Sequence, residues 1–221
     1  MPKPHKGVIF VGPSLADIPP RRMSDLALQV RPPAKRGDVA AVTRTRRPGV
    51  LVLVDGVFQN ALSVGHAELR EALNLGWEVW GLSSMGAIRA REMHVLGMRG
   101  WGRVFETFMA PGDFQDDEVA LLHGAEKPYV ALSEPLIHLR AATAHLAEIG
   151  ILSPSAADQI LAGLKSLWYG QRTLSLFFAI VERTVSASAA PAAKDALRNF
   201  DQFRLKSHDL RQFLEETPWN R

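Results

Sequence analysis

The sequence contains no cysteine and no apolar run long enough to cross a bilayer. The lack of cysteine excludes disulfides, thiolate nucleophiles and zinc sites built on cysteine. A transmembrane helix needs about 20 apolar residues in succession, and the longest apolar run near the C-terminus, residues 174–181, is shorter and contains Ser175. The N-terminal residues show no apolar stretch that ends in a small-residue cleavage site. We therefore expect a cytoplasmic protein without a membrane partner.

Acidic residues are scarce in the first 50 positions, which hold three Asp/Glu against ten Lys/Arg. The rest of the chain holds twenty acidic and sixteen basic residues, so the positive charge is concentrated at one end of the sequence. Such a bias marks either a solvated face or a docking surface for an acidic partner. The basic residues are not interleaved with aromatic ones and match no nucleic-acid-binding motif. We therefore expect no nucleic-acid partner.

Three short apolar segments predict strands, at residues 7–12, 50–54 and 78–82. The second of them is apolar at every position, which is typical of a strand whose two faces are both covered by helices. Segments with helical periodicity, at residues 63–75 and 85–96, connect to the strands through short turns. This alternation predicts an α/β fold with a central, mainly parallel sheet and flanking helices.

The C-terminal part of the sequence predicts helices alone. We therefore divide the chain into an α/β core at residues 1–125 and a helical portion at residues 126–221, packed on the core or merged with it into one domain. Ligand sites in parallel sheets lie beyond the carboxyl ends of the strands. Three turns follow predicted strands and are expected to meet there, at Gly12-Pro13-Ser14, Asp55 and Ser84.

Ser84 lies where the strand that ends at Leu82 turns into a helix. The free N–H groups at a helix start stabilise an anion, and a serine at such a corner is placed for nucleophilic attack, although Leu82 occupies the first glycine position of the Gly-x-Ser-x-Gly pattern. The backbone N–H of Met85 or Gly86 would then form the oxyanion hole. The alternative is that Ser84 only caps the helix. Ser83 is the second candidate nucleophile.

A catalytic serine needs a base, and Lys206 is the leading candidate. It precedes Ser207, a predicted helix start, where the helix dipole and burial would both favour a neutral amine. The alternative is an exposed lysine on a surface turn. The other candidate bases are His66, His94 and His123.

Carboxylates occur at two further places of interest. Asp116, Asp117 and Glu118, with His123, are either metal ligands or the acidic first turn of a solvated helix, and the spacing fits no EF-hand or HExxH motif. We therefore expect no metal site. Asp55 closes a buried strand, and we expect it to accept hydrogen bonds from a neighbouring turn.

Several motifs, in this order, resemble those of the TfuA family. The resemblance covers most of residues 7–150, and beyond it only Gln171-Arg172-Thr173 and Leu205-Lys206 through Asp209 align. The motifs are Val11-Gly12-Pro13-Ser14-Leu15, Pro32-Pro33-Ala34 with Gly37-Asp38, Asp55-Gly56-Val57-Phe58, Ser83-Ser84-Met85-Gly86-Ala87-Ile88-Arg89-Ala90, Gly97-Met98 with Gly100, Asp116-Asp117-Glu118-Val119-Ala120 with His123, and Leu132-Ser133-Glu134 with Arg140.

The resemblance implies a partner of a YcaO enzyme in peptide backbone thioamidation. In this process the YcaO enzyme uses ATP, and its TfuA-like partner, without a cofactor of its own, hydrolyses the C-terminal thiocarboxylate of a ThiS-like sulfur carrier and releases sulfide. The peptide substrate is contacted only indirectly. If the carrier is acidic, the basic N-terminal portion is its docking surface.

The family has a Ser–Lys pair, which the motifs place at Ser84 and Lys206. The sequence departs from the family pattern at two positions: Arg204 stands two positions before Lys206, where an acidic residue is expected, and Gly65 stands before His66, where the family tends to have a tryptophan. Binding residues are expected around the pair, at Gly12, Pro13, Ser14, Asp55, Ser83, Met85, Gly86 and Arg89.

Two other functions stay open. The first is a non-catalytic adaptor that binds the YcaO enzyme and its peptide substrate, with Ser84 as a helix cap. The second is a small-molecule hydrolase or phosphate binder, although the sequence lacks the Gly-x4-Gly-Lys pattern of a nucleotide-binding loop.

Overall fold

The computed structural model describes residues 7–15, 18–19, 22, 25–57, 61–112 and 115–220. Phe58, part of one motif quoted above, lies outside them. The contacts divide the chain into two units. The sheet unit comprises the described residues up to 112 together with residues 127–129 and 206–220, and the helical unit comprises residues 115–126 and 130–205. The last segment, which the sequence assigned to the helical portion, therefore belongs with the sheet.

The sheet is parallel throughout, which confirms the predicted α/β fold. Its strands stand in the order β2-β1-β3-β4-β5. Their bounds are β1 Gly7–Phe10, β2 Leu28–Arg31, β3 Val50–Leu53, β4 Glu78–Leu82 and β5 Arg99–Trp101. The two edge strands, β2 and β5, were not predicted. β2 carries Gln29 and Arg31, and β5 has three residues, so neither forms an apolar run.

Helices surround this sheet and make up the helical unit. Among the described residues, no helix combines the length and apolarity needed to cross a membrane. Their bounds are α1 Asp38–Thr45, α2 His66–Asn74, α3 Met85–Met93, α4 Gly102–Met109, α5 Leu136–Glu148, α6 Pro154–Ser166, α7 Leu174–Thr184, α8 Ala190–Ala196 and α9 Leu205–Glu216.

Strand β3 shows why its sequence is apolar at every position. Leu51 and Leu53 pack with residues of α1, α2 and α3 on one face of the sheet. Val50 and Val52 pack on the opposite face with Leu210 of α9 and its neighbours. Because successive side chains of a strand point to opposite faces, a strand covered on both sides needs apolar residues throughout. The second cover comes from the end of the sequence, more than 150 residues after β3.

Helix α3 approaches the sheet closely because two glycines face each other. A Cβ atom on Gly86 would lie 1.8 Å from the carbonyl oxygen of Leu53, and one on Gly81 would lie 2.1 Å from the carbonyl oxygen of Gly86. The Gly86 N–H donates to the Val54 carbonyl at 3.1 Å. The first turn of α3 is therefore fixed against β3 and β4 by backbone contact.

Helix α9 is attached to α4 through Asp209. The Asp209 carboxylate accepts the N–H groups of Arg103 and Val104, both at 2.9 Å, and so caps α4. Gly102 begins α4 with a φ of 86°, and a Cβ there would lie 2.4 Å from the Asp209 carboxyl carbon. Burial raises the pKa of Asp209 to about 6, although the N–H groups of Val104 and Arg103 oppose this rise.

The helical unit holds buried ion pairs of its own. Arg172, which is 1% exposed, binds the Asp117 carboxylate at 2.6 Å. It also donates to the main-chain carbonyls of Leu164, in the last turn of α6, and of Leu167, which follows that helix. Glu134 is buried against His138 and Arg204. Burial opposes ionisation of Glu134, but the hydrogen bond and charge of His138, together with Arg204, outweigh it and lower the pKa of Glu134. These charges are paired within the unit.

We expect Gly86→Ala to destabilise the sheet unit by about 3 kcal/mol or more, because the added methyl meets a main-chain oxygen that moves only if β3 and α3 separate. The matched control is Gly65→Ala, where a Cβ finds its nearest neighbours at 3.9 Å. Urea denaturation of the full chain measures both variants. Equal stabilities for the two would contradict the contact described here.

Asp209 gives the unfolding free energy a pH dependence that Asp209→Asn lacks. Because the pKa of Asp209 is about 6 in the folded protein against an ordinary value of 3.8, the folded state binds the proton first. The resulting stabilisation is complete below pH 3.8 and disappears as the pH rises through 6.

The stability of the wild type relative to Asp209→Asn should therefore fall by about 2–3 kcal/mol between pH 4 and pH 7. Urea denaturation across this range measures the difference. Asp195→Asn, at an exposed carboxylate, supplies the baseline. If the difference in unfolding free energy between the wild type and Asp209→Asn stays constant or rises with pH, the raised pKa of Asp209 is contradicted.

Candidate functional site

The carboxyl ends of β1, β3 and β4 supply polar residues to one cluster in the sheet unit, as the sequence predicted for its strand ends. β1 is followed by the turn with Ser14, and β3 is followed by Asp55. β4 leads into Ser83 and Ser84, and α9 adds Lys206. All five residues are buried.

Asp55 accepts hydrogen bonds from the turn after β1, as expected for a carboxylate that closes a buried strand. One oxygen, Oδ2, accepts the N–H groups of Gly12 at 2.8 Å and Ser14 at 3.0 Å. The other, Oδ1, accepts the Ser14 hydroxyl at 2.8 Å. A charged acceptor held by main-chain donors has little freedom to move, so the carboxylate is fixed in place.

Lys206 lies in the first turn of α9 and is 2% exposed, so the alternative of an exposed surface lysine is wrong. Its Nζ lies 3.9 Å from Oδ1 of Asp55. The helix begins at Leu205, two residues before the predicted start. Lys206 thus pairs with the carboxylate of Asp55, just after β3, although 151 positions separate the two residues in the sequence.

Ser83 adopts a backbone conformation that is rare for a residue with a side chain. Its φ is +63°, and the N–H of Ser84 donates to the Leu82 carbonyl at 2.7 Å, which closes a three-residue turn. The Ser83 hydroxyl donates to the main-chain carbonyl of Lys206 at 2.8 Å. Strain of this kind persists where surrounding contacts enforce it. The turn thereby connects the start of α3 to the start of α9.

Ser84 occupies the N-cap position of α3, but its hydroxyl makes no capping hydrogen bond. Its main-chain carbonyl accepts the N–H of Ala87 at 2.9 Å, so the backbone alone starts the helix. The residue is 2% exposed. The alternative in which the Ser84 hydroxyl serves as a helix cap therefore has no support in the geometry.

The two predicted oxyanion donors differ in the structure. The N–H of Gly86 is bonded to the Val54 carbonyl, so its prediction as an oxyanion donor is wrong. Met85 is the first residue of α3, where N–H groups lack partners within the helix. Its side chain is buried, and a Cβ on Gly56 would lie 2.7 Å from its Cγ. Gly86 contributes through close packing, and Met85 remains the candidate donor.

The other predicted binding residues have structural contacts. Gly12 and Pro13 shape the turn after β1, where a Cβ on Gly12 would lie 2.4 Å from the Pro33 ring. Arg89 donates from Nε to the Val64 carbonyl at 3.0 Å and binds Glu92. Arg89 thus ties α3 to the loop before α2.

Two of the alternative bases lie toward the far end of α3 from Ser84. His66 binds Glu92 at 2.8 Å, and His94 follows the last residue of α3. A nine-residue helix is about 13 Å long, and both histidines are exposed. His123 belongs to the helical unit, where its Nδ1 lies 2.8 Å from the Gly124 carbonyl oxygen.

The acidic stretch at Asp116–Glu118 forms a single 3-10 turn. Asp117 binds Arg172, and Glu118 binds Arg140 at 2.6 Å. Within the described ranges, no group of three His, Asp or Glu side chains is arranged to hold a metal ion. Asp117 and Glu118 therefore act as ion-pair partners inside the helical unit.

Asp209 is the residue of this region that sequence reasoning missed. It lies one turn after Lys206 on α9, and its carboxylate caps α4. The only signal was its place at the end of the aligned segment from Leu205. Its distant partners, Arg103 and Val104, leave no local pattern in the sequence.

Comparison with known families matches residues 55–173 to a model described as TfuA-like protein. The match contains Asp55, Ser83 and Ser84, whereas Ser14 and Lys206 lie outside it. A comparison with curated proteins finds no match. Because the matched segment covers more than half of the 221 residues, the chain belongs to the TfuA-like family.

Proposed function

We propose that this protein hydrolyses the C-terminal thiocarboxylate of a ThiS-like sulfur carrier and releases sulfide for a YcaO enzyme. Ser84 is the nucleophile and Lys206 the base. One observation carries the proposal: α9 brings a buried lysine to the turn that holds Ser84, where Ser83 bonds its main chain. Family membership supports the same process.

The reaction balances with these two residues and water. Lys206 takes the Ser84 proton while Oγ bonds to the thiocarboxylate carbon, and the electron pair of the C=O bond moves to oxygen. Collapse breaks the C–S bond, and the Lys206 proton goes to the departing sulfur, which leaves as HS⁻. Lys206 then takes a proton from water, and the hydroxide adds to the ester carbon. Collapse breaks the bond to Oγ, which regains a proton from Lys206, and the carrier leaves as a carboxylate with one proton released to solvent.

The negative charge that develops on oxygen needs hydrogen-bond donors. The N–H of Met85, at the start of α3, is the donor that the backbone offers next to Ser84. Removal of one such donor in other hydrolases lowers kcat by about 10²–10³. Met85 therefore contributes through its main chain, and its side chain serves packing.

The proposed partners are a YcaO enzyme, which consumes ATP, and the sulfur carrier, whereas the peptide substrate is met through the YcaO enzyme. The protein itself needs no cofactor for the steps given above. The site residues are buried, so the substrate group has to be thin. A carrier tail that ends in glycines meets this requirement.

Ser84→Ala and Lys206→Met should each lower sulfide release from a thiocarboxylated carrier by about 10³-fold, because attack and proton transfer depend on each other. Methionine matches the lysine side chain as far as Cε and removes the amine. Sulfide is measured over time with the purified full chain, and circular dichroism checks folding. Ser175→Ala, at an exposed serine of α7, is the control.

Release at the wild-type rate in both variants would contradict the Ser–Lys assignment. The adaptor alternative is tested by adding sulfide directly to a reaction with the YcaO enzyme. If the Ser84→Ala variant fails to support thioamidation without added sulfide and supports it when sulfide is added, the result favours the hydrolase. Thioamidation unaffected by Ser84→Ala in both conditions supports the adaptor.

The carrier docking surface is proposed at Lys35 and Arg36, which are exposed. The preceding residue, Ala34, donates its N–H to the Asp55 carbonyl at 2.9 Å, so both basic residues lie near the site. Arg44 and Arg47, also exposed, lie toward the opposite edge, because the neighbouring Arg46 bonds Gln29 near the start of β2.

A double variant with Lys35→Glu and Arg36→Glu should therefore raise the KM for an acidic carrier about tenfold at low salt, with kcat unchanged. The matched control reverses the same number of charges with Arg44→Glu and Arg47→Glu and should raise KM much less. Sulfide release at 20 and 200 mM salt measures both. Equal effects of the two double variants would show that only the net charge matters.

A further inference from the structure

Asp55 has one oxygen bound entirely by the main chain and one that faces side chains. Oδ2 accepts two N–H groups from the turn after β1. Oδ1 accepts the Ser14 hydroxyl and lies 3.9 Å from Nζ of Lys206. The two main-chain hydrogen bonds to Oδ2 thus fix the position of Oδ1, the oxygen that faces the Lys206 amine. Both side chains of the pair are at most 4% exposed.

We propose that Asp55 is a positioning residue that holds Lys206 and stabilises the ammonium that forms when Ser84 gives up its proton. This inference rests on the proposed function. Asp55 itself neither gains nor loses a proton. The proton passes from the Ser84 hydroxyl to the Lys206 amine and then to the departing sulfur, while Asp55 stays a carboxylate throughout.

The physical basis is the buried opposite charge. A carboxylate within about 4–6 Å of an amine favours the charged form, and burial opposes it. Exposed ion pairs contribute little because water screens them, but this pair is shielded from solvent. Asp55 thereby makes Lys206 a stronger base than burial alone would allow.

Asp209 lies one turn after Lys206 but does not duplicate this role. Asp209, on the same helix, directs its carboxylate to the N–H groups that begin α4, near the charges of Arg103 and Glu106. The other titratable residues of α9 are His208, Arg211, Glu215 and Glu216. The turn after β1 and the turn before α3 supply Ser14, Ser83 and Ser84 to the cluster, and serine carries no charge. Asp55 is the carboxylate from the sheet that meets the amine.

Asp55→Asn tests the inference, because asparagine keeps the shape of the side chain and removes the charge. Without the carboxylate the amine loses its proton at lower pH and is a weaker base. The midpoint of the rising limb of the kcat–pH profile should move to lower pH by about one unit or more, and the limiting kcat should fall at least tenfold. Sulfide release from the thiocarboxylated carrier, between pH 5.5 and pH 9.5, measures both.

Ser14→Ala is the matched control. It removes one hydrogen bond from Oδ1 and leaves the charge of Asp55 in place. The midpoint should stay within about 0.3 pH units of the wild type, because the charge that favours the ammonium is kept. A purely structural Asp55 would lower kcat in both variants and shift the midpoint in neither.

Asp55→Glu decides the question if the asparagine variant does not fold. The longer side chain keeps the charge and displaces the amine, so kcat should fall while the midpoint stays near that of the wild type. An unshifted midpoint in Asp55→Asn, or a shift of one unit in Asp55→Glu, would overturn the inference. Either result leaves the proposed function intact. The proposed function fails only if Ser84→Ala and Lys206→Met both release sulfide at the wild-type rate.

Discussion

The carboxylate of Asp55 is the contact on which the candidate site depends. It follows β3, the central strand, and receives the turn after β1 through Gly12 and Ser14. It also faces Lys206 of α9. The ends of parallel strands bring main-chain positions close together, but they do not by themselves fix the loops and side chains relative to one another, and this requires a shared geometry. Asp55 supplies it, because a buried carboxylate is stable only when donors surround it.

A second constraint, purely steric, places Ser84. The backbones of β4 and α3 meet at Gly81 and Gly86, where side chains would collide with main-chain oxygens. The chain therefore has to turn sharply between Leu82 and Met85, and Ser83 takes a positive φ as a result. The Ser83 hydroxyl then bonds the start of α9. The turn at Ser83 thus has two consequences. It lets α3 pack closely on the sheet, and it bonds the main chain of Lys206 at the start of α9.

The sequence predicted the part of the fold that is visible in apolar runs. β1, β3 and β4 are such runs, whereas β2 and β5 lie at the sheet edges and need less burial. The attachment of α9 to the sheet was not predictable locally, since the spacing of its apolar residues fits any amphipathic helix. For the site, Asp55 and Ser84 stood out as polar residues at strand ends. Two contacts could not be predicted, namely that of Ser83 with Lys206 and the cap that Asp209 provides. Both join segments that are distant in the sequence, and a local pattern of residues does not indicate such contacts.

The burial of this cluster has a cost that stability alone does not explain. Lys206 and Asp55 lose most of their hydration, and an apolar pair of similar volume is often as stable or more stable. The hydroxyl of Ser84 is buried as well, without the capping bond that its position offers. Charges and a hydroxyl kept in a dry environment interact more strongly with a reacting group than they would in water. The same dryness restricts access to a narrow substrate. The proposed acyl chemistry on a thin peptide terminus would use each of these features, whereas a structural ion pair would require neither the strained turn nor the uncapped serine.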